Sequence, residues 1–178
     1  MRWPGLASVA TLLVCLLNPS SASAIGDIEL AGDVLEIALP VAAGGTSVGL
    51  RDWPGTLQLA ESVGFSTATT VALKYGLNTR RPNGGNQSFP SEHASLSFSA
   101  AEFVRKRYGW QFGVPAYAAA SFVAYSRVES GQHHEYDVIG GAAIGIISSF
   151  IFTRPYKGWH VNTEAGPGLH GLFLSRSW

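Results

Sequence analysis

The stretch Ser91-Glu92-His93-Ala94-Ser95-Leu96-Ser97-Phe98-Ser99-Ala100-Ala101-Glu102-Phe103-Val104-Arg105-Lys106-Arg107 is the segment on which the fold turns. Ser91 stands where a helix N-cap belongs, with a hydroxyl that accepts a free N–H of the first turn. Glu92 follows, a negative charge favoured at the positive end of the helix dipole. These signals predict a helix that runs to about Arg107 and stops near Gly109.

Working outward, apolar residues recur at helical spacing in residues 56–75, through Leu57, Leu59, Ala60, Val63, Phe65, Val71, Ala72 and Leu73. Residues 28–39 show the same spacing and then meet Pro40, which predicts a helix ending there. Residues 78–89, rich in Asn, Gly, Arg and Pro, read as a loop. Downstream, residues 113–126 form another predicted helix, with Pro115 in the first turn where proline is tolerated. Residues 134–153 form one more. The expectation is an all-α helical bundle of about five or six helices. Beyond Arg154, residues 157–163 and 169–178 are strand-like and flank Ala165-Gly166-Pro167-Gly168, which predicts a small C-terminal β-hairpin.

The chain has 178 residues, enough for one domain. Hydrophobic residues make up 46% and charged residues 13%, about half the usual charged share of ~25%. A large core is affordable in such a chain, with apolar surface left over for lipid. The formal net charge is zero, so nothing suggests a nucleic-acid partner, which would normally require a basic face. Arg2, the apolar run 6–17 and the small-x-small triplet Ala22-Ser23-Ala24 read as a secretory signal, residues 1–24, cleaved so that the mature chain begins near Ile25. The expected location is therefore exported, periplasmic or extracytoplasmic. The single cysteine, Cys15, falls inside that leader, so no disulfide or thiolate chemistry is available. The expected helical domain spans residues 25–153, with residues 154–178 as an appendage. A membrane span needs about 20 mostly apolar residues. The uncharged stretches 37–50, 108–126 and 138–153 are short or broken by Gly and Pro, which favours a soluble or peripherally bound bundle over a spanning one.

Three polar groups carry the chemistry. In the first, Lys74 ends a predicted helix and Arg81-Pro82 follows in the loop. Lysine as a point charge and arginine as a bidentate fork suit a phosphate, and a solvated basic helix end explains the same residues. In the second, Pro90-Ser91-Glu92-His93 places a loop-to-helix junction, whose free N–H groups favour an oxyanion, beside a histidine able to give a proton. An ordinary cap with an exposed histidine is the alternative. The third is Ser126-Arg127, then His133, His134 and Asp137. If a helix begins by His133, its ring and Asp137 share a face, and the carboxylate fixes the ring's tautomer. A capping cluster, or a metal site of His133, His134 and Asp137, remains open at this point.

The order and spacing of these groups resemble the type-2 phosphatidate phosphatase superfamily, which also holds class A acid phosphatases and vanadium haloperoxidases. Lys74 with Arg81-Pro82, Pro90-Ser91-Glu92-His93, and Ser126-Arg127 with His133 and Asp137 match its three motifs, and the likeness runs over about residues 32–152. The resemblance implies a helical phosphatase acting without a metal or cofactor on phosphomonoesters or diphosphates, lipid or small-molecule. It assigns His133 as nucleophile, Asp137 as its orienting partner and His93 as general acid and base. Lys74, Arg81, Arg127, Ser91 and the backbone near Glu92 would hold the phosphate. One position departs from the pattern: Glu92 replaces the family's glycine. A degenerate phosphoryl-binding module and a vanadate-dependent haloperoxidase are the competing functions. Oligomeric state is not legible.

Overall fold

The structure, a computed structural model, describes residues 21–156 and the strand residues 159–166 and 169–176. Most of the expected leader, residues 1–20, lies outside the described residues. The chain folds as α1 (Ser21–Gly49), α2 (Trp53–Leu77), α3 (Glu92–Tyr108), α4 (Trp110–Glu129) and α5 (Glu135–Phe152), followed by β1 (Trp159–Gly166) and β2 (Leu169–Arg176). The expected all-α bundle and its hairpin are both present. β1 and β2 pair antiparallel from Trp159 opposite Arg176 to Gly166 opposite Leu169, so Ala165 and Gly166 belong to the strand, not the turn.

Two helix bounds differ from the sequence reading. Pro40 does not end α1, which continues to Gly49. Proline removes one backbone donor, but the turns beyond it are held by packing. Ala43 is buried against Leu59 and Phe103, and Ser47 Oγ bonds the carbonyl of Gly44 at 2.8 Å and Thr56 Oγ1 at 2.9 Å. Likewise α4 starts at Trp110, so Pro115 sits in its second turn.

α3 is the central helix and contacts all four others. Its serines Ser95, Ser97 and Ser99 are buried. α5 lies against it at very short range. A Cβ on Gly141 would stand 2.3 Å from the carbonyl oxygen of Ser91, and one on Gly145 2.3 Å from that of Ser95. Only glycine allows that approach.

The ends of the bundle are fixed separately. Far from Ser91, Asp52 caps α2 through a 3.1 Å bond from the Gly55 N–H. Its other oxygen accepts Arg107 Nε at 2.7 Å and Tyr108 Oη at 3.0 Å. Arg107 also donates to the carbonyl of Arg154 at 2.8 Å. The start of α2 and the ends of α3 and α5 are thereby tied together.

Burial runs opposite to a soluble bundle. The inward stripe of α2 is Gly55, Leu59, Ser62, Ser66, Thr70 and Lys74, while Leu57 is 61% and Phe65 47% exposed. On α1, Val34, Ile37 and Val41 face outward, as do Ile139, Ile147 and Phe150 on α5. Small residues between helices with large apolar ones outside is the arrangement of helices packed in lipid. The sequence preference for a soluble or peripherally bound bundle took no account of this outward apolar face. Hydropathy counts apolar residues without saying which way they face. α4 also runs past the uncharged stretch 108–126, to Glu129, and has 20 residues. By composition and length, α5 is the one described helix fit to cross a membrane.

Candidate active site

At the end of the bundle where α2 and α4 finish and α3 and α5 begin, a cleft of about 410 Å³ opens. α1 forms its remaining wall. Arg81, His93, Arg127 and His133 line it together with Glu29, Asp33 and Glu36 of α1. Residues separated by more than fifty positions in the chain thus meet at one place.

Each is placed by local structure. α2 ends because Asn78 adopts the left-handed conformation, φ 43°, and returns its N–H to the Lys74 carbonyl at 3.0 Å. Lys74 is buried and donates to the carbonyl of Gln87 at 3.0 Å. In the following loop Arg81 Nε donates to the Asn86 carbonyl at 3.2 Å. Ser91 caps α3, accepting the Ala94 N–H at 3.4 Å. Its own N–H goes to the carbonyl of Asp137 at 2.9 Å and is not free for an anion, which narrows the expected backbone donors. Glu92 and His93 head the helix, where N–H groups have no acceptor within it. Glu92 is half-buried and close enough to Lys74 to interact electrostatically, but it does not line the cleft.

His133 precedes α5, whose first residue is Glu135. The expected shared helix face is therefore not how His133 and Asp137 meet. The loop instead brings Nδ1 of His133 to 3.5 Å from Asp137 Oδ2, both side chains being buried. That oxygen accepts Ser88 Oγ at 2.5 Å and the His134 N–H at 2.9 Å. Among the described residues, Nδ1 of His133 and Oδ1 of Asp137 have no hydrogen-bond partner. Burial, with the positive charges of Arg81 and Lys74, pushes the His133 pKa down to about 4 against the opposing pull of Asp137. The ring is neutral at neutral pH, with a lone pair available.

His134 turns elsewhere. Its Nε2 lies 3.2 Å from the Arg80 carbonyl, and its ring stacks on Tyr136 with centroids 5.0 Å apart. The rival metal set of His133, His134 and Asp137 does not converge. Among the described residues, the His, Asp and Glu side chains that do converge are Asp33, Glu36 and His93.

α1 supplies what the sequence reading missed. Arg127 Nη1 donates to Asp33 Oδ1 at 2.7 Å, and Nη2 to the Glu29 carbonyl at 2.6 Å. His93 Nε2 is 3.0 Å from Asp33 Oδ1 and 2.9 Å from Glu36 Oε2. The signal was available as an acidic stripe, Glu29, Asp33 and Glu36, spaced four and three apart on one helix face. Ser88 carried no comparable signal.

A helical bundle with lysine, two arginines and two histidines gathered at one end suits phosphoryl transfer, and the comparisons place the chain in a class of helical phosphatases. The chain belongs to the PAP2 superfamily, whose profile matches residues 55–160, and it is a phosphatase associated with membranes. It is similar to the lipid A 4'-phosphatase of Helicobacter pylori strain J99, 32% identical over 170 residues, covering 85% of each chain. Two crystal structures share the fold. The transmembrane PAP2-type phosphatidylglycerolphosphate phosphatase of Bacillus subtilis is 22% identical with a TM-score of 0.59, covering 82% of this chain and 81% of the other. LpxE of Aquifex aeolicus is 23% identical with a TM-score of 0.56, covering 67% and 83%.

Proposed function

We propose that the protein hydrolyses a phosphomonoester on a membrane lipid of the lipid A kind, without a metal, through a phosphohistidine. The neutral, buried His133 beside Asp137, facing a cleft walled by arginines, is the observation that carries this reading. The similarity to a lipid A 4'-phosphatase supports the substrate class.

In the first step Nε2 of His133 attacks phosphorus. An N–P bond forms, the bond to the ester oxygen breaks, and His93 gives that oxygen its proton. Lys74, Arg81 and Arg127 offset the charge on the non-bridging oxygens, and the amides heading α3 add donors. Asp137 holds the His133 ring and stabilises its positive charge. In the second step His93 takes a proton from water, the oxygen attacks phosphorus and the N–P bond breaks, releasing inorganic phosphate.

The bundle sits in the bilayer on this reading. α5, the one described helix long and apolar enough to cross a membrane, has 18 residues and extends about 27 Å, close to a hydrocarbon core of about 30 Å. The site then lies at one membrane surface, where a lipid headgroup arrives. We place that surface on the extracytoplasmic side, reached by export.

The test is phosphate release from lipid A by the purified full chain in detergent, with and without a strong chelator. Chelator-resistant turnover that vanadate inhibits supports the reading. Turnover lost to the chelator and restored by Zn²⁺ or Mg²⁺ overturns it.

A further inference from the structure

We propose that Asp33 and Glu36 are specificity-determining residues that admit phosphomonoesters on a hydroxyl-bearing headgroup and turn away diphosphates. This rests on the histidine-phosphatase reading above and adds to it the choice of leaving group.

The geometry fixes where these carboxylates act. Asp33 Oδ1 bridges two groups of opposite role: Arg127 Nη1 at 2.7 Å and His93 Nε2 at 3.0 Å. Glu36 Oε2 reaches the same His93 nitrogen at 2.9 Å. Nε2 also lies 3.5 Å from Arg127 Nη1. It is therefore the atom that meets the ester oxygen of a phosphate held by Arg127. Whatever is attached to that oxygen lies against Asp33 and Glu36. Asp33, the more exposed of the two, is free to leave Arg127 when phosphate takes its place.

Charge then decides between leaving groups. In a diphosphate the group beyond the bridging oxygen is a second phosphate, itself anionic, and it would face both carboxylates of α1. Like charges brought together in a cleft discriminate strongly against a ligand. Glu29, on the same wall, adds a third negative group, bonded through Oε1 to Gln132 Nε2 at 3.0 Å. Arg127 is the cation that pairs with this wall, 2.7 Å from Asp33 and 3.9 Å from Glu29, so a phosphate that takes Arg127 leaves those carboxylates without it. A sugar or polyol leaving group instead offers hydroxyl donors to the same carboxylate oxygens, and charge-assisted hydrogen bonds of that kind are strong.

The experiment compares kcat/KM on three substrates for the full-length protein in one detergent: a sugar-borne lipid phosphomonoester, an isoprenyl diphosphate and p-nitrophenyl phosphate. The variants are Asp33→Asn, Glu36→Gln, the pair together, and Asp33→Glu. The double variant should raise the diphosphate-to-monoester ratio by at least roughly tenfold. Asp33→Glu, which keeps the charge, should leave that ratio near wild type. A ratio unmoved in the double variant, with all three substrates slowed together, shows a structural role and overturns the proposal. So does a wild-type preference for the diphosphate that appears when Mg²⁺ is added, because the carboxylates would then be holding a cation. If the wild type hydrolyses none of the three, the phosphatase reading itself fails, which is a separate outcome.

Discussion

Nδ1 of His133 stands 3.5 Å from Oδ2 of Asp137, just outside hydrogen-bond range, and that oxygen is already held by Ser88 and the His134 amide. The pair is aligned but not joined. Attack on phosphorus turns the ring into a cation, which draws its N–H toward the carboxylate as the new bond forms. The contact is therefore expected to tighten in the transition state, where it lowers the barrier.

His133→Ala should lower kcat by more than about 10³-fold and abolish trapping of a phosphoenzyme. His134→Ala should be mild, since its ring bonds the Arg80 carbonyl and stacks on Tyr136, away from the cleft. Rapid quench with a labelled substrate checks both. The opposite pattern, with His134 essential and His133 dispensable, would reassign the nucleophile.

Acid should weaken the fold through His133. In the unfolded chain histidine titrates near 6.5, while burial beside Arg81 and Lys74 holds His133 at about 4. As pH falls the unfolded state binds the proton first. Stability present above pH 6.5 is then lost progressively down to about pH 4. Asn at position 133 removes this share. Thermal unfolding of wild type and His133→Asn, each at about pH 7 and pH 4.5, should show the larger drop in the wild type. Equal drops would refute it.

Glu92→Gly restores the residue the family pattern carries. It removes a negative charge near Lys74, so phosphate should bind as well or more tightly. Glycine costs up to roughly 1 kcal/mol of helix stability. Isothermal titration with inorganic phosphate, paired with kcat, checks this. A catalytic gain much above about tenfold would mean that Glu92 obstructs the site.

Gly145→Ala should destabilise the bundle by about 1–3 kcal/mol, as overpacking does, because the new Cβ meets the Ser95 carbonyl at 2.3 Å. Gly64→Ala is the control. Nothing lies within 4 Å of that position, and alanine is the better helix former. Denaturant midpoints in detergent measure both. Equal effects would show that α5 can shift away from α3.

The parts legible in the sequence were those written in short spacings. Ser91 as a cap, the end of α3 near Gly109 and the grouping of Lys74, Arg81, His93, Arg127 and His133 depend on residues a few positions apart or on motif order. What was hidden depends on contacts between distant segments. Pro40 signals a helix end locally, and contacts beyond it override that signal: Ala43 packs on Leu59 and Phe103, and Ser47 bonds Thr56. Asp33 and Glu36 look like a solvated acidic face until α1 is laid across Arg127 and His93. The direction of Leu57 and Phe65 was illegible for another reason. A stripe of Ser and Thr reads as the wet face in water, and the same stripe is the inner face in lipid.

The central position of α3 bears on how the protein is made. On the membrane-spanning reading, this helix carries Glu102, Arg105, Lys106 and Arg107 in its last turns and a row of serines through its middle. Charged residues partition poorly into hydrocarbon when a helix enters alone. α3 therefore depends on neighbours already in place, and α1 and α2 precede it in the chain. Asp52, waiting at the junction of those two helices, gives Arg107 its counter-charge on arrival. Biogenesis is then cooperative: the helix that organises the finished site is the one least able to insert by itself.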